Sequence, residues 1–206
     1  MKRIVSFIII MVMIVGSATQ IHAQKKESKE EKKELREKRD AEKKAIREKK
    51  DQERKAADAV EDQITFDTAI QALRDQSFVL EANSIQPLGA RTFFVNSTTN
   101  FISLNNGQAV VQIASNSGYS GPNGIGGITV QGNASNINMK QDKKGNVYFT
   151  MNVQGIAISA SVMIQLFNEG NTAVATIDPN FTGNDLTMRG YLYPTSMSNI
   201  YQGITY

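Results

Sequence analysis

VYFTMNVQGIAISASVMIQL, residues 147–166, decides the fold class. Val147, Phe149, Met151 and Val153 alternate with Tyr148, Thr150, Asn152 and Gln154, and Ile156, Ile158, Ala160, Val162, Ile164 and Leu166 then alternate over the next eleven residues. Successive side chains of a strand point to opposite faces, so a period of two yields one apolar face and one polar face. Gln154 and Gly155 are the expected turn. The stretch therefore reads as two antiparallel strands with one side buried and the other wet.

The same period runs outward in both directions. Phe78, Leu80 and Ala82 alternate with Val79 and Glu81. Residues 101–104 and 109–113 are apolar runs that flank Asn105, Asn106 and Gly107. Asn-Gly supplies the positive φ angles of a type I′ turn, which predicts a hairpin. Downstream, residues 168–171 turn the chain into a strand over 172–177, and Leu186, Met188 and Leu192 mark a last strand. Short strands separated by Gly/Asn turns predict an all-β domain, an antiparallel sandwich or barrel of about nine to ten strands. Phe66, Ala69, Ile70 and Leu73 instead recur at helical spacing, which predicts a short capping helix ending near Gln76.

Upstream, the pattern changes to charge. Residues 25–62 contain 28 charged side chains in 38 positions. Blocks 35–45 and 46–56 are identical at seven of eleven positions, with two further Arg/Lys exchanges. Eleven residues over three turns match a nearly straight helix. Opposite charges recur four residues apart, as in Glu34 with Lys38 or Lys33 with Glu37, each pair worth about 0.2–0.5 kcal/mol. The apolar stripe of Leu35, Ala45, Ile46, Ala56 and Ala57 is thin for a coiled-coil seam. The expectation is a long charged helical spacer with at most weak self-association.

Lys2 and Arg3 precede a twelve-residue apolar run, 4–15, broken by Ser6 alone, and then Gly16, Ser17 and Ala18. A run this short falls below the roughly 20 residues a spanning helix needs and fits a cleaved export signal. Cleavage is expected after Ala23, leaving Gln24 first, with Ala18 as a second possible site. The expected organisation is residues 1–23 as signal peptide, 24–62 as charged repeat and 63–206 as β domain with its N-terminal helix. No stable membrane span is expected in the mature chain.

Composition limits the chemistry. The chain has no Cys, and its one histidine, His22, lies in the segment expected to be removed. Ser-His, Cys-His and His-ligated metal chemistry are then excluded. The net charge of +3 resides in the N-terminal part, because residues 63–206 carry 6 basic and 7 acidic groups. A basic nucleic-acid footprint on the β domain is not supported. No cofactor is implied.

The segments 100–102 (NFI), 121–129 (GPNGIGGIT), 144–147 (KGNV), 155–160 (GIAISA), 179–181 (PNF) and 198–203 (SNIYQG) resemble a family of uncharacterised secreted domains, a domain of unknown function in Bacteroidetes envelope proteins. The resemblance covers residues 77–206. It implies an all-β domain and a bacterial envelope location, and with the export signal the expected place is the periplasm, or outer-membrane-associated or secreted. It implies no activity and no catalytic residues.

The candidate binding segment is the glycine-rich loop 118–127, with Tyr119, Gly121, Asn123, Gly124, Gly126 and Gly127. A phosphate loop would need Lys and Ser/Thr after its last glycine and a helix behind, whereas residues 128–131 read as strand. Long irregular connections are often functional, and glycine lets a backbone approach a ligand closely. Tyr191, Tyr193, Tyr201 and Tyr206 offer a second possible stacking surface. The expected function is a non-enzymatic binding or scaffold domain for an envelope protein or a glycan. The alternative is a hydrolase using a carboxylate pair, Glu81 with Asp178 or Asp185. No Asp-x-Asp-x-Asp pattern suggests a calcium loop.

Overall fold

The computed structural model describes residues 2–114, 124, 126–156, 158–180 and 185–205, and of residues 2–30 the backbone alone. One helix, α1 (Lys2–Arg74), precedes nine strands: β1 (Phe78–Pro87), β2 (Phe93–Phe94), β3 (Phe101–Asn105), β4 (Gln108–Ala114), β5 (Gly127–Gln141), β6 (Val147–Gln154), β7 (Ser159–Leu166), β8 (Thr172–Pro179) and β9 (Leu186–Pro194). A short 3-10 turn, Thr195–Met197, follows. The chain divides into two compact units, Met1–Ala57 and Asp58–Tyr206.

The second unit is a barrel rather than a sandwich. Each strand pairs antiparallel with the next from β3 to β9, β1 pairs with β3, and β1 also pairs with β9. Eight strands thus close on themselves, and β2 adds to β1 at Ser84 and Ile85. Closure removes sheet edges, which would otherwise expose unpaired backbone groups. The closing seam runs from the Phe78–Pro194 pair to the Pro87–Leu186 pair, with a bulge between Ala82 and Ser84. Gly190 faces that seam, where an added Cβ would lie 1.9 Å from the Glu81 carbonyl oxygen. The two strands approach so closely there that only glycine fits.

The period-two residues form the interior. Val147, Phe149, Met151 and Val153 of β6 and Ala160, Val162, Ile164 and Leu166 of β7 are all buried in one apolar cluster. Phe78 and Phe149 meet edge to face, with ring centroids 5.2 Å apart. The β6–β7 connection is longer than the expected two residues. It occupies residues 155–158, closed by a Gly155 N–H to Ile158 carbonyl hydrogen bond of 2.7 Å. Ile156 is consequently fully exposed instead of continuing the inner row. The predicted hairpin at Asn106 and Gly107 is present, with φ of 49° and 76°. Both angles lie in the left-handed region that a type I′ turn requires.

The capping helix is not a separate short element; it is the end of α1. Residues 25–74 contain neither Gly nor Pro, so nothing in the sequence interrupts the helix. Within the barrel unit, Phe66, Ala69, Ile70, Ala72 and Leu73 are buried in the same cluster as the barrel interior. The helix ends in a Schellman turn: Ser77 N–H donates to the Ala72 carbonyl at 3.0 Å and Gln76 N–H to the Leu73 carbonyl at 3.2 Å. In the first unit, residues 31–57 are exposed throughout. Lys33–Glu37, Glu34–Lys38, Lys44–Glu48 and Lys49–Glu53 come within 4 Å along the helix. Among the described residues no helix is long and apolar enough to cross a membrane.

Candidate functional site: the open end of the barrel

Antiparallel pairing gives the barrel two unlike ends. The end nearest residues 58–74 of α1 carries the tight turns at 106–107, 142–146 and 167–171. The Asp142 turn is built by one carboxylate. Its Oδ1 accepts the Lys144 and Asn146 backbone N–H groups at 2.8 and 2.9 Å, and its Oδ2 accepts Asn146 Nδ2 at 2.9 Å. The Asn146 side-chain hydrogen bond, then the Asn146 and Lys144 backbone N–H groups and the Lys144 charge, hold the Asp142 carboxyl below its ordinary value. This acid serves the turn.

The connections that leave β1, β4, β6 and β8 start from the opposite end. A pocket of about 420 Å³ opens there, lined by Ile85, Pro87, Phe93, Phe94, Val95, Ile113, Ala114 and Leu186. It exists because β3 begins only at Phe101, opposite Glu81, while β1 continues to Pro87. The gap beside upper β1 is filled by the two-residue β2 instead of a full strand. Phe94 is 87% exposed, and the Arg91 guanidinium lies 5.3 Å from the Phe93 ring centroid. Ile128 points to the inner side and is still 48% exposed, so the apolar interior reaches solvent at this mouth.

The glycine-rich connection springs from the same end. Gly127 opens β5 opposite Ala114, and a Cβ there would lie 1.9 Å from the Ile113 carbonyl oxygen. Its glycine is explained by that close backbone approach. Gly124 and Gly126 have φ of 77° and 90°, in the left-handed region. Tyr119, Gly121 and Asn123 lie outside the described residues.

The acids do not assemble as the sequence suggested. Glu81 accepts a 2.7 Å hydrogen bond from the Ser198 hydroxyl on the outer side of β1. Asp178 and Asp185 instead line a groove of about 400 Å³ on the outer wall formed by β6, β7 and β8. Asp67 on α1 and Asp75 just past its end accept hydrogen bonds from Gln63 and Gln71, each four residues earlier. Among the described residues, no three His, Cys, Asp or Glu side chains gather to hold a metal ion.

One feature near the mouth had no signal in the sequence. The C-terminal segment crosses the outside of β3 and β4 and buries Val79, Phe101 and Val110, with Ile200 packed on them. Gln112 beneath it is fully buried and fully bonded. Its Nε2 donates to the Thr99 and Tyr201 carbonyls at 3.0 and 2.7 Å, and its Oε1 accepts the Thr129 hydroxyl and the Gly203 N–H, both at 2.8 Å. Tyr201 is thereby fixed by its backbone while its ring stays exposed. Tyr191 stands on the outer face of β9, paired with Glu81 and Thr172. Tyr206 lies outside the described residues.

A protein-family model for DUF4251, a domain of unknown function, matches residues 60–192. A crystal structure of a DUF4251 family protein from Bacteroides eggerthii is similar at 46% identity, with a TM-score of 0.58, over 67% of this chain and 93% of that one. No curated protein matches. The matched span begins in the last turns of α1 and ends in β9, so it takes in the barrel, its mouth and its outer groove. The chain belongs to the DUF4251 family of domains of unknown function.

Proposed function

We propose that this chain is an exported cell-envelope protein that acts by binding, and that its barrel takes up an apolar side chain of a partner protein at the open mouth. The observation that carries this reading is the pocket at the end of β1 and β4, walled by aliphatic side chains and fronted by the exposed Phe94 ring. A concave apolar site of a few hundred Å³ suits an apolar group, and exposed aromatic side chains are typical interface anchors. Catalysis has little to draw on: without His or Cys past residue 22, the acid–base groups are carboxylates, tyrosines and a few lysines. The charged part of α1 then serves as a spacer. Export rests on Lys2, Arg3, the apolar run and Ala23.

The test is crosslinking and co-purification from the native envelope with wild type and Phe94→Ser. Wild type is expected to capture a partner that Phe94→Ser loses, with both proteins melting alike. Equal capture by both would remove the mouth from consideration. Mass analysis of the same material should give an N-terminus at Gln24 or near Thr19, and an intact Met1 would refute export.

The hydrolase alternative keeps one supporting observation, that Asp178 and Asp185 share a groove. Release of reducing sugar from a glycan, abolished by Asp178→Asn or Asp185→Asn, would promote it over the binding reading.

A further inference from the structure

We propose that the outer wall of the barrel, across β6, β7 and β8, is a second binding site, one that takes a neutral oligosaccharide. Strand register builds it. Asn152, Ser161 and Asp178 stand in one cross-strand row, and Thr150, Met163 and Thr176 stand in the next. Same-face rows of a sheet lie about 6.8 Å apart along the strands, and neighbours lie about 4.8 Å apart across them. That grid repeats on the scale of a sugar ring. The register shift in β5 between Ser135 and Asn138 brings Asn136, with φ of 50°, into the same groove.

The lining chemistry selects the ligand class. A sugar hydroxyl both donates and accepts, and a sugar ring also presents an apolar C–H face. The groove offers amides and hydroxyls that both donate and accept, two carboxylates that only accept, and Met163, 45% exposed, as an apolar patch. Among the described residues no Lys or Arg lines it, so an anion finds no counter-charge there. An acyl chain would leave the polar groups without partners, which costs free energy for each one buried.

The two carboxylates add a separate argument. Continuing the β8–β9 register one step past the Ile177–Leu186 pair sets Asp178 opposite Asp185, both turned outward. Like charges directly opposite on a sheet face destabilise it. Hydroxyl donors from a bound sugar would satisfy both carboxylates and offset that repulsion. The Ser161 hydroxyl already donates weakly to Asn152 Oδ1 at 3.4 Å, a long bond that a ligand hydroxyl would outcompete.

The test is isothermal titration calorimetry of the full-length protein with maltohexaose, cellohexaose, chitohexaose and mannohexaose as probes. At least one is expected to bind with a Kd between roughly 10 μM and 1 mM. Asp178→Asn and Thr176→Val, both on the wall and each close in shape to the native residue, should weaken it at least about tenfold without lowering the melting temperature. Phe94→Ser should leave sugar binding unchanged, which separates this site from the mouth. The proposal is overturned if no probe gives heat at about 10 mM, or if both wall substitutions leave binding intact. Calcium chloride binding that Asp178→Asn abolishes, with no response to any sugar, would assign the acids to a cation and also overturn it.

Discussion

Gln112 concentrates more structure than any other polar side chain in the barrel unit. Its amide is fully buried and links β4 to β5 through Thr129 and to the C-terminal segment through Tyr201 and Gly203. Gln112→Leu keeps the volume and leaves the Thr129 hydroxyl, the Gly203 N–H and two carbonyls without this partner. The expected loss is about 2–4 kcal/mol, read by urea unfolding; a loss below about 0.5 kcal/mol would mean the segment is not held this way. Asp142 is the counterpart on the surface. Its folded pKa lies below the ordinary aspartate value of 3.8, so its stabilising effect is complete above that value and is lost as pH falls through the lower folded pKa. Titration followed by NMR should show Asp142 protonating below the ordinary aspartate value, and Asn146→Ala should move it upward. Neither role was legible in the sequence. A glutamine on a strand carries no mark of what will cover it, because its partners come from the far end of the chain. Asp142 could be read as a turn acid, since Gly145 and Asn146 follow it, but not as the acceptor of three hydrogen bonds.

At the scale of elements, the helix terminus makes a sharper prediction than the helix. Gln76 occupies the left-handed position of the Schellman turn with φ of 51°, where glycine is the usual residue. Gln76→Gly is expected to raise stability by about 1 kcal/mol, measured by thermal unfolding, because it removes the Cβ penalty of that conformation. A decrease would mean that the Gln76 side chain has a packing role. The strands were legible because burial imposes period two, and β6, β7 and the β3–β4 hairpin all follow it. The start of β7 was misjudged because Ile156 keeps the alternation while belonging to the connection; periodicity continues through a loop whose residues happen to fit it. The two-residue β2 is too short for any period to reveal. The mouth went unseen for the same reason, since it is defined by where β3 is missing and not by a motif.

For the molecule as a whole, the barrel unit should stand without the charged segment. Residues 31–57 are all exposed, whereas Phe66, Ala69, Ile70 and Leu73 join the core. A chain beginning at Asp58 should melt within a few degrees of the full-length protein, and one beginning at Ser77 should lose cooperative melting; the reverse ordering would show that stability comes from the charged repeat. Sandwich and barrel were indistinguishable beforehand because the inner rows look alike in both. The difference is one pairing, β1 with β9, between strands at opposite ends of the domain. That pairing has a consequence in time. A ribosome releases β1 long before β9, and until β9 emerges β1 lacks the strand that pairs with nine of its residues and has no closed interior to enter. Closure of the barrel therefore requires the last strand, and the closed barrel forms only once β9 is available to β1.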